Sequence, residues 1–510
     1  MISRINSAVL NGLDVMATEV EVGFSRGIPG IVIVGLPDNA VKESRERLKL
    51  AISQSNFDYP QATKIVINLS PADVRKEGSA LDLPMAVGII KNRYHLESPA
   101  FNELLFYGEL NLNGDLNPVK GVLNISLFAR QRGFRGIVIP FANRHEAAFV
   151  GGIEVYPLKN LTEVIDLIQN PAHFVPFRGE AGEHREQDCE NDFAEIKGQY
   201  LAKRAMEIAA AGFHNVLMIG PPGSGKSMIS KALPSILPDM SDDEVLETSL
   251  TYSAAGLLGE KGGLIRSRPF RSPHHTISDV GISGGGKYPL PGEISLAHNG
   301  VLFLDELPYF KKSALEVLRQ PLEDGRITVS RSLTSSTFPA RFMLIAAMNP
   351  SQDSIGLGDA GYYAGSMAQK RHYYAKLSKP LLDRIDLQLE VKKVKLEEIT
   401  STAAAESSGD IRKRVVAARD IQLRRFQPLK KKIFANGQMK NHEIKKFCPL
   451  DGEGGRLLQM AVDKFDLSAR GYFKVLKVAR TIADLEKVEK IAPQHVQEAL
   501  QYRSLDLSRF

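Results

Sequence analysis

The chain has 510 residues, 43% of them hydrophobic and 24% charged, with 42 glycines and 27 prolines; these are ordinary proportions for a globular protein of about three domains and exclude collagen-like and low-complexity classes. Lys+Arg number 65 against 59 Asp+Glu, a net +6 that permits a polyanionic partner without requiring one. Two distant cysteines, Cys189 and Cys448, exclude a disulfide framework and a four-cysteine zinc site, no apolar run approaches the roughly 20 residues of a membrane span, and Asn11 and Asp14 interrupt any secretory signal, so a cytoplasmic protein is expected.

Residues 1–176 alternate strand-like and helical runs. Met16–Phe24, Gly30–Leu36, Lys64–Ser70 and Gly133–Pro140 carry the branched apolar residues of strands. Asn39–Ser55 has apolar residues at helical spacing, with Asp38 or Asn39 as its cap. An α/β or α+β domain is predicted. Residues 177–192 are polar and acidic and read as a linker. Over 193–394, the strands His214–Ile219, Gly300–Glu306, Arg341–Asn349 and Asp386–Val391 alternate with helical stretches, which predicts a doubly wound sheet. Residues 395–510 read as helical throughout, in Gly409–Phe426, Gly455–Phe465, Gly471–Lys487 and Ala492–Tyr502.

The strongest motif is GPPGSGKS, made of Gly220, Pro221, Pro222, Gly223, Ser224, Gly225, Lys226 and Ser227, followed by Met228 at the head of a helical stretch. Glycines let the backbone wrap so that its N–H groups point at phosphate oxygens, and the helix N-terminus adds partial positive charge. Lys226 then reaches the β- and γ-phosphates, and the Ser227 hydroxyl binds Mg²⁺. Val301–Glu306 supplies carboxylates at the end of an apolar strand: Asp305 for Mg²⁺, Glu306 to orient and polarise the attacking water. Asn349, ending the next strand, can reach the γ-phosphate or the water.

These residues look like an AAA+ ATPase. The runs RPFRSPHHTIS (268–278), GGGKYPLPGEISLAHNGVLFLDEL (284–307), LRQPLEDGRITVSR (318–331) and FPARFMLIAAMNP (338–350) resemble more closely the ComM-type (YifB) magnesium-chelatase-like AAA+ ATPases, as do IKGQYLAKRAMEIAAAGFHN (196–215) and LSARGYFKVLKVARTIADLE (467–486). The resemblance covers nearly the whole chain and implies ATP and Mg²⁺, a ring oligomer, expected to be a hexamer, and nucleotides bound between subunits. It implies an arginine finger at Arg384, in LLDRIDL, which would stabilise transition-state charge on a neighbour's γ-phosphate, an effect worth about 10³–10⁵ in rate in GTPases. It also implies a second sensor at Arg470 on a C-terminal helical lid. One departure stands out: the family's cysteines after the sensor asparagine are missing from Asn349–Tyr374, so no zinc is expected.

The first domain resembles the Lon protease domain and the C-terminal domain of RadA, a ribosomal-protein-like fold. Lon-type chemistry needs a serine nucleophile and a lysine base within hydrogen-bond reach. The family's serine and lysine positions fall on Ala80 and Leu123, which implies a non-proteolytic domain; a rival assignment pairs Ser79 with Lys120.

Two regions are candidates for binding DNA. One is the basic stretch 411–432, with Arg412, Lys413, Arg414, Arg424 and Arg425; its alternative reading is a solvated helical face or a subunit contact. The other is the hairpin-like segment 325–340 carrying Arg331. Arg268, Arg271, His274 and His275 have either a DNA-binding role or a structural one, bridging subunits near the nucleotide. No base-reading motif accompanies them, so sequence-independent binding to single-stranded or branched DNA is expected. The resemblance implies a branch-migration helicase of natural transformation; the alternatives are a chelatase-type subunit remodelling a partner, an ATP-dependent Lon-like protease and a nucleotide-binding scaffold.

Overall fold

The first element follows from alternation. Ser3, Ile5, Ser7 and Val9 are buried while Ile2 and Arg4 are exposed, the period of a strand packed on one face. The chain reverses at Gly12, whose φ of +64° residues with a Cβ seldom adopt. The computed structural model describes residues 2–76, 78–179, 191–258, 263–286, 289–330, 335–350, 377–394, 397–398, 405–429, 433–465 and 467–503. In it Ile2–Asn11 and Asp14–Ser25 form an antiparallel hairpin, joined by Lys64–Ser70 and, at the edge, Gly30–Val34.

The helix Asn39–Gln54 starts at Asp38, whose carboxylate accepts from the Val41 N–H at 2.8 Å, so Asp38 is the cap. The helix Asp82–Tyr94 lies so close to the sheet that a Cβ on Gly88 would stand 2.6 Å from Val22 Cγ2. A second, parallel sheet joins Leu104–Phe106, Gly136–Pro140 and Glu154–Leu158.

The central sheet has five parallel strands in the order Phe270–Arg271, Val301–Leu304, Met343–Met348, Val216–Ile219 and Leu387–Glu390. The middle three are buried at every position, which is why they read as unbroken apolar runs. One face packs against Tyr200–Gly212 and the C-terminal helices in a shared core that includes Ala209, Val216, Phe303, Val415, Val478 and Ile482. The C-terminal helices are Ser408–Phe426, Asn441–Phe447, Gly452–Phe465, Ala469–Leu485 and Pro493–Gln501.

The N-terminal domain sits on the helix Asp242–Ala255. Leu123 and Val150 pack with Tyr252, Leu258 and Leu296, and Gly121 donates to the Ser253 carbonyl at 3.0 Å. Between them the buried Glu146 carboxylate accepts from Leu123 N–H, Asn143 Nδ2 and Ser253 Oγ; burial pushes its pKa up against those donors. A second contact brings the Asn11–Leu13 turn onto the hairpin Arg326–Ser330/Ser335–Pro339, where Ser336 Oγ donates to Asn11 Oδ1 at 3.3 Å.

Candidate nucleotide site

Open parallel sheets present their ligand sites at the carboxyl ends of their strands, and the motif residues emerge there. Leaving Val216–Ile219, the chain passes Gly220, where a Cβ would meet the Val391 carbonyl at 2.1 Å. Gly223 and Gly225 have φ of +74° and +90° and open space where a Cβ would point, so the loop backbone can be approached closely. Lys226 opens the helix Lys226–Ala232. Its buried ammonium donates to Gly220 O at 2.7 Å, Pro221 O at 2.9 Å, Ser224 Oγ at 3.3 Å and Asn349 Oδ1 at 3.1 Å. Burial lowers its pKa, and Asp305 opposes that shift.

Ser227 Oγ donates to Asp305 Oδ2 at 2.7 Å. A hydroxyl and a carboxylate this close form a hard oxygen donor pair, which fits Mg²⁺. Glu306 follows in a left-handed conformation, φ +52°, uncommon for a residue with a side chain. Its N–H donates to Asp305 Oδ1 at 2.9 Å. Its Oε2 lies 3.5 Å from Nδ1 of His275, whose ring is tilted against that of His274 with centroids 4.1 Å apart. Lys226, Ser227, Asp305, Glu306 and Asn349 thus form one phosphate-side group.

Two members of the site were not assigned there from the sequence. Gln199 donates to Ser224 O at 2.8 Å and to Lys392 O at 2.6 Å, tying the phosphate loop to the edge strand's exit. Its signal was the run IKGQYLAKRAM, which carried the resemblance but no role. His275 stands at Glu306, a contact that no spacing rule in the sequence reveals.

Arg384 and Arg470 do not join the phosphate-side group. Arg384 donates to Pro380 O at 2.8 Å and to Glu323, and Arg470 Nη2 lies 3.4 Å from Glu323 Oε1. The expected second sensor therefore lies beside the expected finger, away from Lys226. Asp386 instead accepts from Asn215 N–H and Lys474.

The cations of the basic stretch mostly have acidic partners. Arg412 pairs with Asp239, Lys413 with Asp410, Arg414 with Glu207 and Glu406, and Arg425 with Asp484. Arg412, Arg414 and Arg425 bind the helix Ser408–Phe426 to other elements, Lys413 pairs within the helix, and Arg424 alone of the five has no ion pair among the described residues. Arg331, Lys430–Lys432, most of the acidic linker and the cysteine-free stretch after Pro350 lie outside the described residues.

In the N-terminal domain Ser79 donates to Glu109, while the Lys120 stem lies against Gly256, where a Cβ would meet its Cε at 2.9 Å. Ser79 and Lys120 thus have separate partners. Among the described residues no group of three or more His, Cys, Asp or Glu could hold a metal, and no helix is long and apolar enough to cross a membrane.

A five-stranded parallel sheet with a phosphate loop, a strand-end Asp-Glu pair, a sensor asparagine and a helical C-terminal region defines an AAA+ nucleotide-binding protein of the P-loop class. Residues 192–399 match the family described as "Magnesium chelatase, subunit ChlI", residues 20–143 "Subunit ChlI of Mg-chelatase" and residues 405–503 "Magnesium chelatase, subunit ChlI C-terminal". The chain belongs to this magnesium-chelatase-like AAA+ family, in its ComM/YifB branch. It is 39% identical to "Uncharacterized protein YifB" of Escherichia coli K12, over 99% of this chain and 97% of that one. It is also 39% identical to "Competence protein ComM" of Haemophilus influenzae, over 97% and 96%. A "Magnesium-chelatase 67 kDa subunit" of Chlorobaculum parvum is 27% identical over 32% of this chain and 24% of that one.

Proposed function

We propose that the protein is an ATP-hydrolysing ring motor that works on DNA. The observation that carries the ATPase part is the phosphate-side group: an ammonium held by four oxygens at the loop, beside a Ser227–Asp305 pair and an adjacent Glu306 carboxylate. Lys226 exchanges those oxygens for phosphate oxygens when ATP binds. Ser227 and Asp305 would hold Mg²⁺, which neutralises phosphate charge when bound. Glu306 orients the attacking water and takes its proton, and Asn349 fixes the γ-phosphate side. Arg384 and Arg470, set apart from their own loop, are supplied to the nucleotide of the next subunit, which makes the ring a catalytic requirement.

The DNA part is supported by the full-length similarity to a competence protein and by the resemblance to branch-migration helicases. With four basic-stretch cations already paired, the hairpin at 326–339 is the better DNA candidate. The test is ATPase activity with and without single-stranded or branched DNA across a salt series. DNA-stimulated turnover that fades with salt is expected. No stimulation and no salt-dependent binding would transfer the function to partner remodelling, as the chelatase subunit similarity suggests.

A further inference from the structure

The two arginines set apart from the phosphate loop are not bare. Glu323, near the end of the helix Arg319–Asp324, accepts from Nη2 of Arg384 and from Nη2 of Arg470. The three residues come from three segments: this helix, the turn after Lys379–Leu382, and the start of Ala469–Leu485. Two guanidinium groups on one carboxylate carry a net positive charge. Donor capacity also remains, because Arg384 Nε is buried without a partner among the described residues.

Exposure distinguishes the members. The Arg384 side chain is 12% exposed, while Glu323 and Arg470 are 52% and 54% exposed. Beside them opens a cavity of about 820 Å³, lined by Lys440 and Lys474 together with Asp383, Asp386 and Glu443. A carboxylate and a terminal phosphate are both oxyanions that a guanidinium binds through paired N–H donors, and the phosphate carries more charge.

We infer that Glu323 is a resident lock on the arginine pair. In the lone subunit its carboxylate occupies the place that the terminal phosphate of a second copy's bound ATP takes in the ring. The phosphate displaces it on assembly, and Glu323 retakes the pair once the phosphate has left. This rests on the ring reading above, with Arg384 acting in trans.

The test is ATPase activity against protein concentration for the full chain with Mg·ATP, comparing parent, Glu323→Gln, Glu323→Ala and Arg384→Ala, with thermal melts for each. Removing the competing charge should lower the protein concentration at half-maximal specific activity by about two- to fivefold in both Glu323 variants, the range a partly exposed ion pair can contribute. An unchanged or raised half-maximal concentration in a folded Glu323→Gln protein, with Arg384→Ala inactive, overturns the lock alone. A fall in turnover in Glu323→Ala that Glu323→Gln restores makes Glu323 a positioning residue and also overturns the lock. Parental turnover in Arg384→Ala overturns the ring reading itself.

Discussion

At the scale of single residues, the phosphate-side group separates binding from turnover. Lys226 supplies charge to the phosphates, so Lys226→Ala is expected to abolish binding of a fluorescent ATP analogue. Among the described residues the Glu306 carboxylate lies 3.5 Å from His275, while its backbone bonds Asp305 and Tyr309. Glu306→Gln keeps the shape and the binding but loses the base, and turnover should fall by about 10²-fold or more. Parental turnover in that variant would remove Glu306 from water activation. Lys226, Ser227, Asp305, Glu306 and Asn349 were all legible in the sequence, because each sits at a fixed offset from a strand end. Gln199, His275 and Glu323 were not. Their roles come from contacts between segments far apart in the chain, and their own neighbourhoods carry no motif that names those partners.

At the scale of elements, what was legible depended on period. The central strands read clearly because burial on both faces makes them continuous apolar runs. The hairpin strand Ile2–Asn11 was missed, since Ser3 and Ser7 take buried positions and mask its alternation; the Asn-Gly pair before Asp14 was the available turn signal. The basic helix Ser408–Phe426 shows another limit of sequence reading. A run of cations is visible in sequence, but the acids that neutralise it, Glu207, Asp239 and Asp484, lie on other elements. Packing between elements also predicts a pH effect. His214, at the junction of the central sheet with Ala469–Leu485, is fully buried, with Nε2 on Thr481 at 2.8 Å. Burial lowers its pKa from 6.5 to about 4; Asp386 opposes the shift, while Lys474, Lys477 and Arg419 add to it. The unfolded chain therefore binds the proton first. The stability tied to neutral His214 is complete above about pH 6.5 and is lost as pH falls toward about 4, by of order a kcal/mol per pH unit. Denaturant melts of His214→Gln across that window should show lower stability at neutral pH and a shallower slope than the parent. Parallel curves would assign the acid sensitivity elsewhere.

At the scale of the molecule, the chain separates the groups to which the proposed function assigns hydrolysis. The P-loop, Asp305 and Glu306 lie at one place, and Arg384 with Arg470 at another, bound to Glu323. The resemblance implied the division for Arg384; that Arg470 stands beside it on Glu323 depends on how Ala469–Leu485 packs on the sheet. Among the described residues Lys226 is the one Lys or Arg in the phosphate-side group; under the ring proposal the arginines come from a neighbour. Arg384→Ala alone should bind nucleotide normally, because no phosphate-loop residue contacts Arg384, and should hydrolyse at background. Lys226→Ala alone should also be inactive, with its arginines intact. Mixed, the two variants should recover part of the parental activity, because an Arg384→Ala subunit's intact loop then meets the arginine of a Lys226→Ala neighbour. Recovery should grow with the proportion of mixed contacts and vanish on dilution. An inactive mixture that still forms mixed assemblies, measured by co-purification of differently tagged copies, would show that the arginines serve their own subunit's nucleotide and that the separation closes by a movement within one chain.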